Sequence, residues 1–554
     1  MNHQTEIELK FLVPRAARAA LMLEMSRGAA ALPRKVLAAR YLDTPDRRLA
    51  REGLAWRLRR EDGRWVQTLK AAGKHLLERF EHEVIRPDSS PDCSPDAAAH
   101  AGTPAGDRLW SLLRRAQADG VELIVRVQTD VKRSVRRLRL RGAVVEVSYD
   151  EGRLLAAGTS QRICEIEFEL KSGSITAMLA LAERWRKRFG LVYDPRSKSE
   201  RGDRLADGSP HPAVRKAAVP IYSKGATTGE AFGAVLDECL AQSTRNALGL
   251  AEGDPACRVE HVHQLRVGMR RLRSALRSFE GWVGEPPSGL VDDTRALFAA
   301  LGRSRDSDVM DSGVVAELAR AGAPPLSLRP ATTGPAVSAT IDTAATQKIF
   351  LAWIAWRIAL TQDAGVQSGR QTGETPRAAT SAGAAQGAAR EAARDAAHEA
   401  ADKATQETVP DPAALAQQQA AHMQPREFRR SVEKRLRKWH KRIAADLGGF
   451  DNLDEASLHA LRKRVKRQRY AVEFFSPLLR ARRAARYLRA LAALQDRMGA
   501  LNDLFVARAR YQALVATDAA AWFALGWLAA SIAQARSVAK PALAKLAKAK
   551  PPTA

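Results

Sequence analysis

Up to about residue 205 the chain is built of short stretches in which apolar and polar residues alternate. Period-two runs cover residues 6–11, 55–60, 65–70, 79–85, 121–128, 135–140, 143–149 and 163–170. They read as strands, because successive side chains of a strand point to opposite faces. Turn signals, Glu61-Asp62-Gly63 and Asp150-Glu151-Gly152, separate some of them. Residues 16–25, 107–118 and 175–189 carry the helical period. Many antiparallel strands with few helices predict a closed barrel. Residues 203–228 hold Pro210, Pro212 and Pro220 with several glycines and read as a linker.

From about residue 229 the period changes to that of long helices rich in Ala, Leu and Arg. The expected division is 1–203 barrel, 204–228 linker, 229–545 helical domain and 546–554 a Lys/Pro tail. Residues 362–424 are poor in large apolar side chains. They read as an Ala-rich insertion with a solvated helix at 388–404 and disordered ends. The longest apolar run, 519–533, is shorter than the ~18–20 residues of a membrane span. It predicts a buried core helix, and no membrane association is expected.

Composition narrows the classes. The 554 residues are 45% hydrophobic and 27% charged, which excludes wholesale disorder. Four cysteines, Cys93, Cys164, Cys239 and Cys257, form no close pair, so a reducing compartment, the cytoplasm, is expected. The polar, acidic start of the chain does not read as a signal peptide. Lys and Arg number 89 against 62 Asp and Glu, a net charge of +27. That excess predicts an anionic partner and leaves nucleic acid, membrane surface and phosphate polymers open.

Charge changes the picture of the strands. Glu6, Glu8 and Lys10 share one face of the first strand, with Ile7 and Leu9 on the other. Arg57 and Arg59, Thr68 and Lys70, then Arg79, Glu81 and Glu83 alternate in the same way, as do Glu165, Glu167, Glu169 and Lys171. If the barrel turns its apolar face outward, these charges line the lumen. Mixed charges are costly there when empty and reasonable around a polyanion with a divalent metal. The Glu-x-Glu-x-Lys of Glu6, Glu8 and Lys10 resembles the signature of the CYTH, or triphosphate tunnel metalloenzyme, superfamily. Ordered blocks support it: Tyr41–Pro45, Arg57-Leu58-Arg59, Gln67–Lys70, Arg79–Glu83, Thr129-Asp130 with Arg133, Val145–Val147 with Asp150, Glu165–Lys171 and Lys198–Gly202.

The resemblance implies an eight-stranded antiparallel tunnel that binds a triphosphate with Mg²⁺ or Mn²⁺. It implies Glu6, Glu8, Glu167 and Glu169 as metal ligands, with Glu6, Glu8 and Lys10 catalytic. It implies Lys10, Arg57, Arg59, Lys70, Arg79, Arg133 and Lys198 as substrate contacts, and gives Glu81, Glu83, Glu146 and Asp150 tunnel positions without a defined role. Trp56 stands where that family more often has Leu, and by parity points out of the tunnel. No P-loop sequence and no H-E-x-x-H are present.

The helical region contains a repeat. His263 to Phe279 matches His459 to Phe475, and each is followed by an Asp block, Asp306 with Asp308 and then Asp503, 43 and 44 residues after its histidine. At about 100° per residue, His263, Arg266, Arg270 and Arg273 fall within an arc of about 80°. Leu265, Met269, Leu272, Leu276 and Phe279 lie opposite. The second copy sets His459, Arg462, Lys466 and Arg469 against Leu461, Val465, Val472 and Phe475, with Gln468 as a polar intruder.

Each helix therefore packs one side into a bundle and presents a row of cations on the other. This repeat resembles the CHAD domain, a histidine-containing α-helical domain. The resemblance implies two pseudo-symmetric bundles with a basic groove, formed by these two rows, that binds inorganic polyphosphate. The aspartates of the two blocks are expected to fix helix ends or pair with arginine.

Both halves converge on linear phosphate chains. The expected function is a metal-dependent inorganic triphosphatase, like the bacterial enzymes of that type, whose helical domain holds polyphosphate. Its expected place is the cytoplasm, with polyphosphate granules as an associated site. Two alternatives stay open: a non-catalytic polyphosphate-granule protein, and a tunnel enzyme acting on a nucleotide or thiamine triphosphate. Aromatics are 6% and do not interleave with the basic rows, so specific nucleic-acid binding is not expected.

Overall fold

A computed structural model describes residues 4–28, 31–73, 75–87, 93–312, 314–324, 344–369 and 423–553, with backbone alone for 303–312 and 361–369. The first domain runs β1 Gln4–Leu12, α1 Arg18–Met25, β2 Lys35–Asp43, α2 Arg48–Arg51, β3 Leu54–Glu61, β4 Arg64–Ala72, β5 Glu78–Arg86, α3 Pro104–Ala118, β6 Ile124–Leu140, β7 Ala143–Ala156, β8 Thr159–Gly173, α4 Ile175–Phe189, β9 Val192–Tyr193 and α5 Lys198–Ala206. The strands follow the order β5-β4-β3-β2-β6-β7-β8-β1, and β1 pairs back onto β5. Eight antiparallel strands thus close into the expected barrel, and short β9 adds to β1 through Phe11↔Tyr193.

The pleat sorts the side chains. Leu9, Phe11, Ile166 and Phe168 are buried on the outer face. Phe168 sits edge-on to Phe11 at 5.8 Å and to Trp185 of α4 at 5.7 Å. Trp56 also points outward, into a second core with Leu69 and Leu109, and its indole N–H donates to His100 Nε2 at 3.2 Å. Apolar packing outside leaves the interleaved charged residues facing inward.

Three strand boundaries differ from the sequence reading. Residues 124–128 and 135–140 belong to one long strand, β6, and 121–123 precede it. Asp150-Glu151-Gly152 is no turn but lies inside β7. A Cβ on Gly152 would come 2.0 Å from the Asp130 carbonyl oxygen, so this glycine serves a close strand approach. The reversal comes instead at Ala157-Gly158, both at positive φ. The strand β2 has no clean alternation and was not anticipated.

The second region runs α6 Thr228–Glu252, α7 Arg258–Phe279, α8 Leu290–Ser312, α9 Val314–Arg320, α10 Ala344–Gly369, α11 Pro425–Ala444, α12 Glu455–Phe475, α13 Ala481–Gln512 and α14 Ala521–Lys548. A capping box of Thr227 and Glu230 starts α6. Helices α6, α7, α8 and α10 pack together, as do α11, α12, α13 and α14, and α7 meets α12 between the halves. The last residues of the repeated helices, Phe279 and Phe475, meet there at 5.0 Å. The predicted apolar faces are buried, except Leu276, which is half-buried. The intruding Gln468 is fully buried and donates to the Leu436 carbonyl and the Tyr487 hydroxyl.

The apolar run at 519–533 is only partly a core helix. Ala521, Ala524, Leu528 and Ile532 are buried, whereas Trp522 is 64% exposed. Among the described residues, no helix is long and apolar enough to cross a membrane. Most of the Ala-rich insertion, including 388–404, lies outside the described residues, as do the side chains of Asp306 and Asp308.

Candidate active site

The lumen holds interlocked ion pairs whose members come from most of the strands. Lys70 Nζ of β4 lies 2.6 Å from Glu6 and 3.1 Å from Glu81. Arg79 Nε of β5 is 2.8 Å from Glu8. Arg57 and Arg59 of β3 both lie near Glu83, at 3.6 and 3.5 Å. Register sets the Lys70–Glu81 pair, since β4 places the two opposite each other, whereas Arg79, opposite Glu6 on β1, reaches diagonally to Glu8.

The deepest cluster stands where β6, β7, β8 and α5 meet. Oxygens of Asp150, Glu165 and Glu167 lie within 4.8 Å of one another, and Asp150 and Glu165 are fully buried. Arg133 grips Asp150 with two hydrogen bonds of 2.7 Å and reaches Glu167 at 2.7 Å. Lys198 Nζ sits 2.8, 2.5 and 2.9 Å from Asp150, Glu165 and Glu167. Arg201 holds the far oxygen of Glu165 at 2.8 Å. Burial opposes the Lys198 charge, yet the three carboxylates hold its ammonium well above the ordinary range. Burial likewise works against the Glu167 carboxylate, but Lys198, Arg133 and Lys10 keep it well below the usual value.

The four carboxylates expected as metal ligands fall into two groups. Glu167 belongs to the deep cluster, with Asp150 and Glu165. Glu8 lies opposite Glu169 in register, and the Glu6 charge also acts on Glu169. The Glu169 carboxyl is pushed up to about 7, first by burial and then by Glu6 and Glu146, against the pull of Lys171. Its bond to Lys171 measures 2.5 Å. Lys10 donates to the Arg196 carbonyl and lies 4.0 Å from Glu165.

The expected substrate contacts Arg57, Arg59, Lys70, Arg79, Arg133 and Lys198 are all drawn together with lumen carboxylates. Sequence reasoning gave Asp150 no defined role, left Glu165 as one more alternating acid, placed Arg201 in a motif block without a role, and missed Arg196. Glu165 shares the parity of Glu167, a usable signal. Asp150 needed the β6–β7 register, Arg133↔Asp150, to be placed. Three hard carboxylate donors at this spacing fit a divalent Mg²⁺ or Mn²⁺ ion.

The lumen opens into a cavity of about 750 Å³. Its walls include Glu8, Lys10, Arg57, Lys70 and Lys198 from the tunnel, and Arg215 and Arg245 from the linker and α6.

In the helical domain, the helices that carry the two basic rows, α7 and α12, pack against each other, and the charge of Arg270 on α7 bears on Arg462 on α12. Burial first, and then Arg270 against the pull of Asp503, lowers the Arg462 pKa. Burial, Arg295, Arg277 and Arg270 lower that of Arg273. Arg266 and Arg270 cover the Phe298 ring at 4.6 and 5.7 Å. His459 Nδ1 is 3.0 Å from Asn502 Oδ1, and Arg469 pairs with Glu473 at 2.9 Å. His263 and Lys466 are half-buried on the same rows.

A closed tunnel lined with paired cations and carboxylates, joined to a duplicated helical bundle, defines a two-domain protein. Residues 4–202 match the CYTH domain and residues 234–512 the CHAD domain, and the chain belongs to the CHAD family with a CYTH domain before it. The inorganic triphosphatase of Haemophilus influenzae is 29% identical over 162 residues, which cover 29% of this chain and 44% of that protein. The CHAD domain of the plant Ricinus communis aligns with 62% of this chain and 99% of its own at 26% identity and a TM-score of 0.39. A Hippeastrum protein described as having a dominant triphosphatase activity aligns with 35% of this chain and 91% of its own at 21% identity and a TM-score of 0.23.

Proposed function

We propose that the chain is a divalent-metal-dependent hydrolase of inorganic tripolyphosphate, yielding pyrophosphate and phosphate, whose helical domain binds polyphosphate. One observation carries the tunnel reading: Arg133 and Lys198 are held by the carboxylate trio Asp150, Glu165 and Glu167. Phosphate oxygens entering the lumen draw these cations away. The carboxylates they leave are the donors a divalent ion needs, so the substrate and the ion fit the site together.

Glu167 with Asp150 and Glu165, and Glu6 with Glu8 and Glu169, would hold metal. A bound Mg²⁺ or Mn²⁺ would supply Lewis-acid neutralisation of the phosphate oxygens. Lys10, Arg57, Arg59, Lys70 and Arg79 bind and align the phosphates and stabilise charge on the transferred group. A lumen carboxylate orients the attacking water and takes its proton.

In the helical domain, the adjoining rows of His263, Arg266, Arg270 and Arg273 and of His459, Arg462, Lys466 and Arg469 repel one another. A linear polyanion between them relieves that repulsion. The relative from Haemophilus influenzae, named an inorganic triphosphatase, supports the tunnel part of this reading.

Phosphate release with Mg²⁺ or Mn²⁺ should be fastest from tripolyphosphate in a panel with pyrophosphate, ATP, thiamine triphosphate and long-chain polyphosphate. Glu6→Ala or Glu8→Ala should lower it by roughly 100-fold with folding retained. Unchanged turnover in both variants would sink the reading. A clear preference for ATP or thiamine triphosphate would move the substrate class to organic triphosphates.

A further inference from the structure

The segment from Asp194 to Glu200, the link from β9 with the first turn of α5, lies between the lumen and the first helix of the helical domain. It serves the site twice. Its Arg196 carbonyl accepts from Lys10 Nζ, and its Lys198 ammonium enters the carboxylate trio.

The helical domain holds this segment at three points. The Tyr193 amide, just before it, donates to Gln347 Oε1 of α10 at 3.2 Å. The Arg196 guanidinium makes two bonds to Asp194, at 2.9 and 3.0 Å, and reaches Glu252 at the end of α6 at 3.0 Å. Arg245 of α6 makes two bonds to Glu200, one of them 2.9 Å. Glu200 is in turn fixed to the start of α5, where its amide donates to Ser197 Oγ at 3.1 Å. Lys198 lies between the two ion pairs, and Arg245 also lines the cavity at the tunnel mouth.

We propose that α6 of the helical domain is a positioning element of the tunnel. In this arrangement Arg245, through Glu200, and Glu252, through Arg196, fix the backbone that aims Lys198 and Lys10 at the phosphates. Neither Arg245 nor Glu252 is a catalytic residue. Arg245 acts through a bidentate contact, which fixes direction as well as distance, and Glu252 through a single bond to the buried Arg196, itself held by Asp194. An ammonium that sits 2.5–2.9 Å from each of three carboxylates tolerates little displacement of its backbone. The inference rests on the tripolyphosphate reading of the tunnel.

The test uses the full chain. Arg245→Glu and Glu252→Gln are compared with wild type for tripolyphosphate hydrolysis and for tripolyphosphate binding by calorimetry without metal. Thermal unfolding is followed in parallel. The expected result is an affinity for tripolyphosphate about 10-fold weaker in each variant, with KM raised more than kcat is lowered and with the unfolding midpoint retained. Arg245→Lys should lie between wild type and Arg245→Glu, and Arg245→Glu combined with Glu200→Arg should recover most of the loss.

Wild-type affinity and KM in both Arg245→Glu and Glu252→Gln would overturn the inference while leaving the tunnel reading intact. Failure of the charge-exchanged pair to recover any affinity would also overturn it. A wild-type chain that neither binds nor cleaves tripolyphosphate would overturn the reading, and this inference with it.

Discussion

Asp194 shows how much a single buried charge can contribute. It is fully enclosed, and burial alone would raise its pKa. Arg196 and Lys10 outweigh that and hold it at about 2 against an ordinary 3.8. A carboxyl depressed in the folded state stabilises the protein above its unfolded pKa, and that gain is lost as pH falls through the folded value. The window is therefore about pH 4 down to about pH 2, and the gain is about 2 kcal/mol. Urea unfolding of Asp194→Asn should show a deficit of that order near pH 7, shrinking as both proteins are compared at lower pH. A deficit that stays constant with pH would mean the loss is one of packing.

At this scale the sequence was informative about which side chains share a face. The period-two rule sent Glu6, Glu8, Lys10, Arg57, Arg59 and Lys70 inward. It was silent on partners. The pairing of Lys70 with Glu81, or of Arg133 with Asp150, depends on register between strands, which no single strand encodes.

Helices α6 and α7 approach closely, and glycine sets the distance. A Cβ on Gly249 of α6 would come 2.2 Å from the His261 ring of α7. That ring is fully buried and held by Asn246 Oδ1 at 3.0 Å, so it cannot move aside cheaply. Gly249→Ala should lose about 1–3 kcal/mol in urea unfolding of the helical domain. Gly526 on the exposed side of α14 has nothing within 4 Å of a Cβ. Gly526→Ala should gain about 0.5–1 kcal/mol, the ordinary helix benefit. Opposite signs for the same substitution on two helices are the check.

Elements with one clean period were legible, and those whose role is set by neighbours were not. The period of 3.6 marked the buried and basic sides of α7 and α12 in advance. The Asp150-Glu151-Gly152 turn signal failed because Gly152 answers to the Asp130 backbone beside it, and not to its own strand. The apolar run of α14 resembled a buried helix. Its Trp522 is nevertheless 64% exposed, because among the described residues only one side of α14 finds neighbours.

Across the whole molecule, the two helices that carry the matched rows of the repeat pack together. Arg270 from one copy acts on Arg462 from the other, while Phe279 and Phe475 meet behind them. If this groove binds polyphosphate, replacing both arginines by glutamine should weaken binding by about 10-fold or more. It should also flatten the dependence of affinity on salt, since fewer counterions are exchanged. Binding measured across a salt series tests this directly. An unchanged salt slope would place the polyanion elsewhere.

The duplication was visible from the spacing of residues 263 and 459 to their Asp blocks. The contact of the helical domain with the Lys198 segment was not visible. It joins Glu200 to Arg245 and Arg196 to Glu252, pairs that no local sequence pattern indicates.

The closure of the barrel also has a consequence in time. The strand β1 bears Glu6, Glu8 and Lys10, and it pairs with β5, β8 and β9. Emerging first from the ribosome among these strands, it must wait for β8 and β9 before both its edges are satisfied. Long-range pairing of this kind is slow, because the loop entropy is lost before the contacts form. The last strand-pairing event and the assembly of the site are then one event. A refolding chain should acquire its assembled lumen site abruptly, at the end, and never in a half-built state.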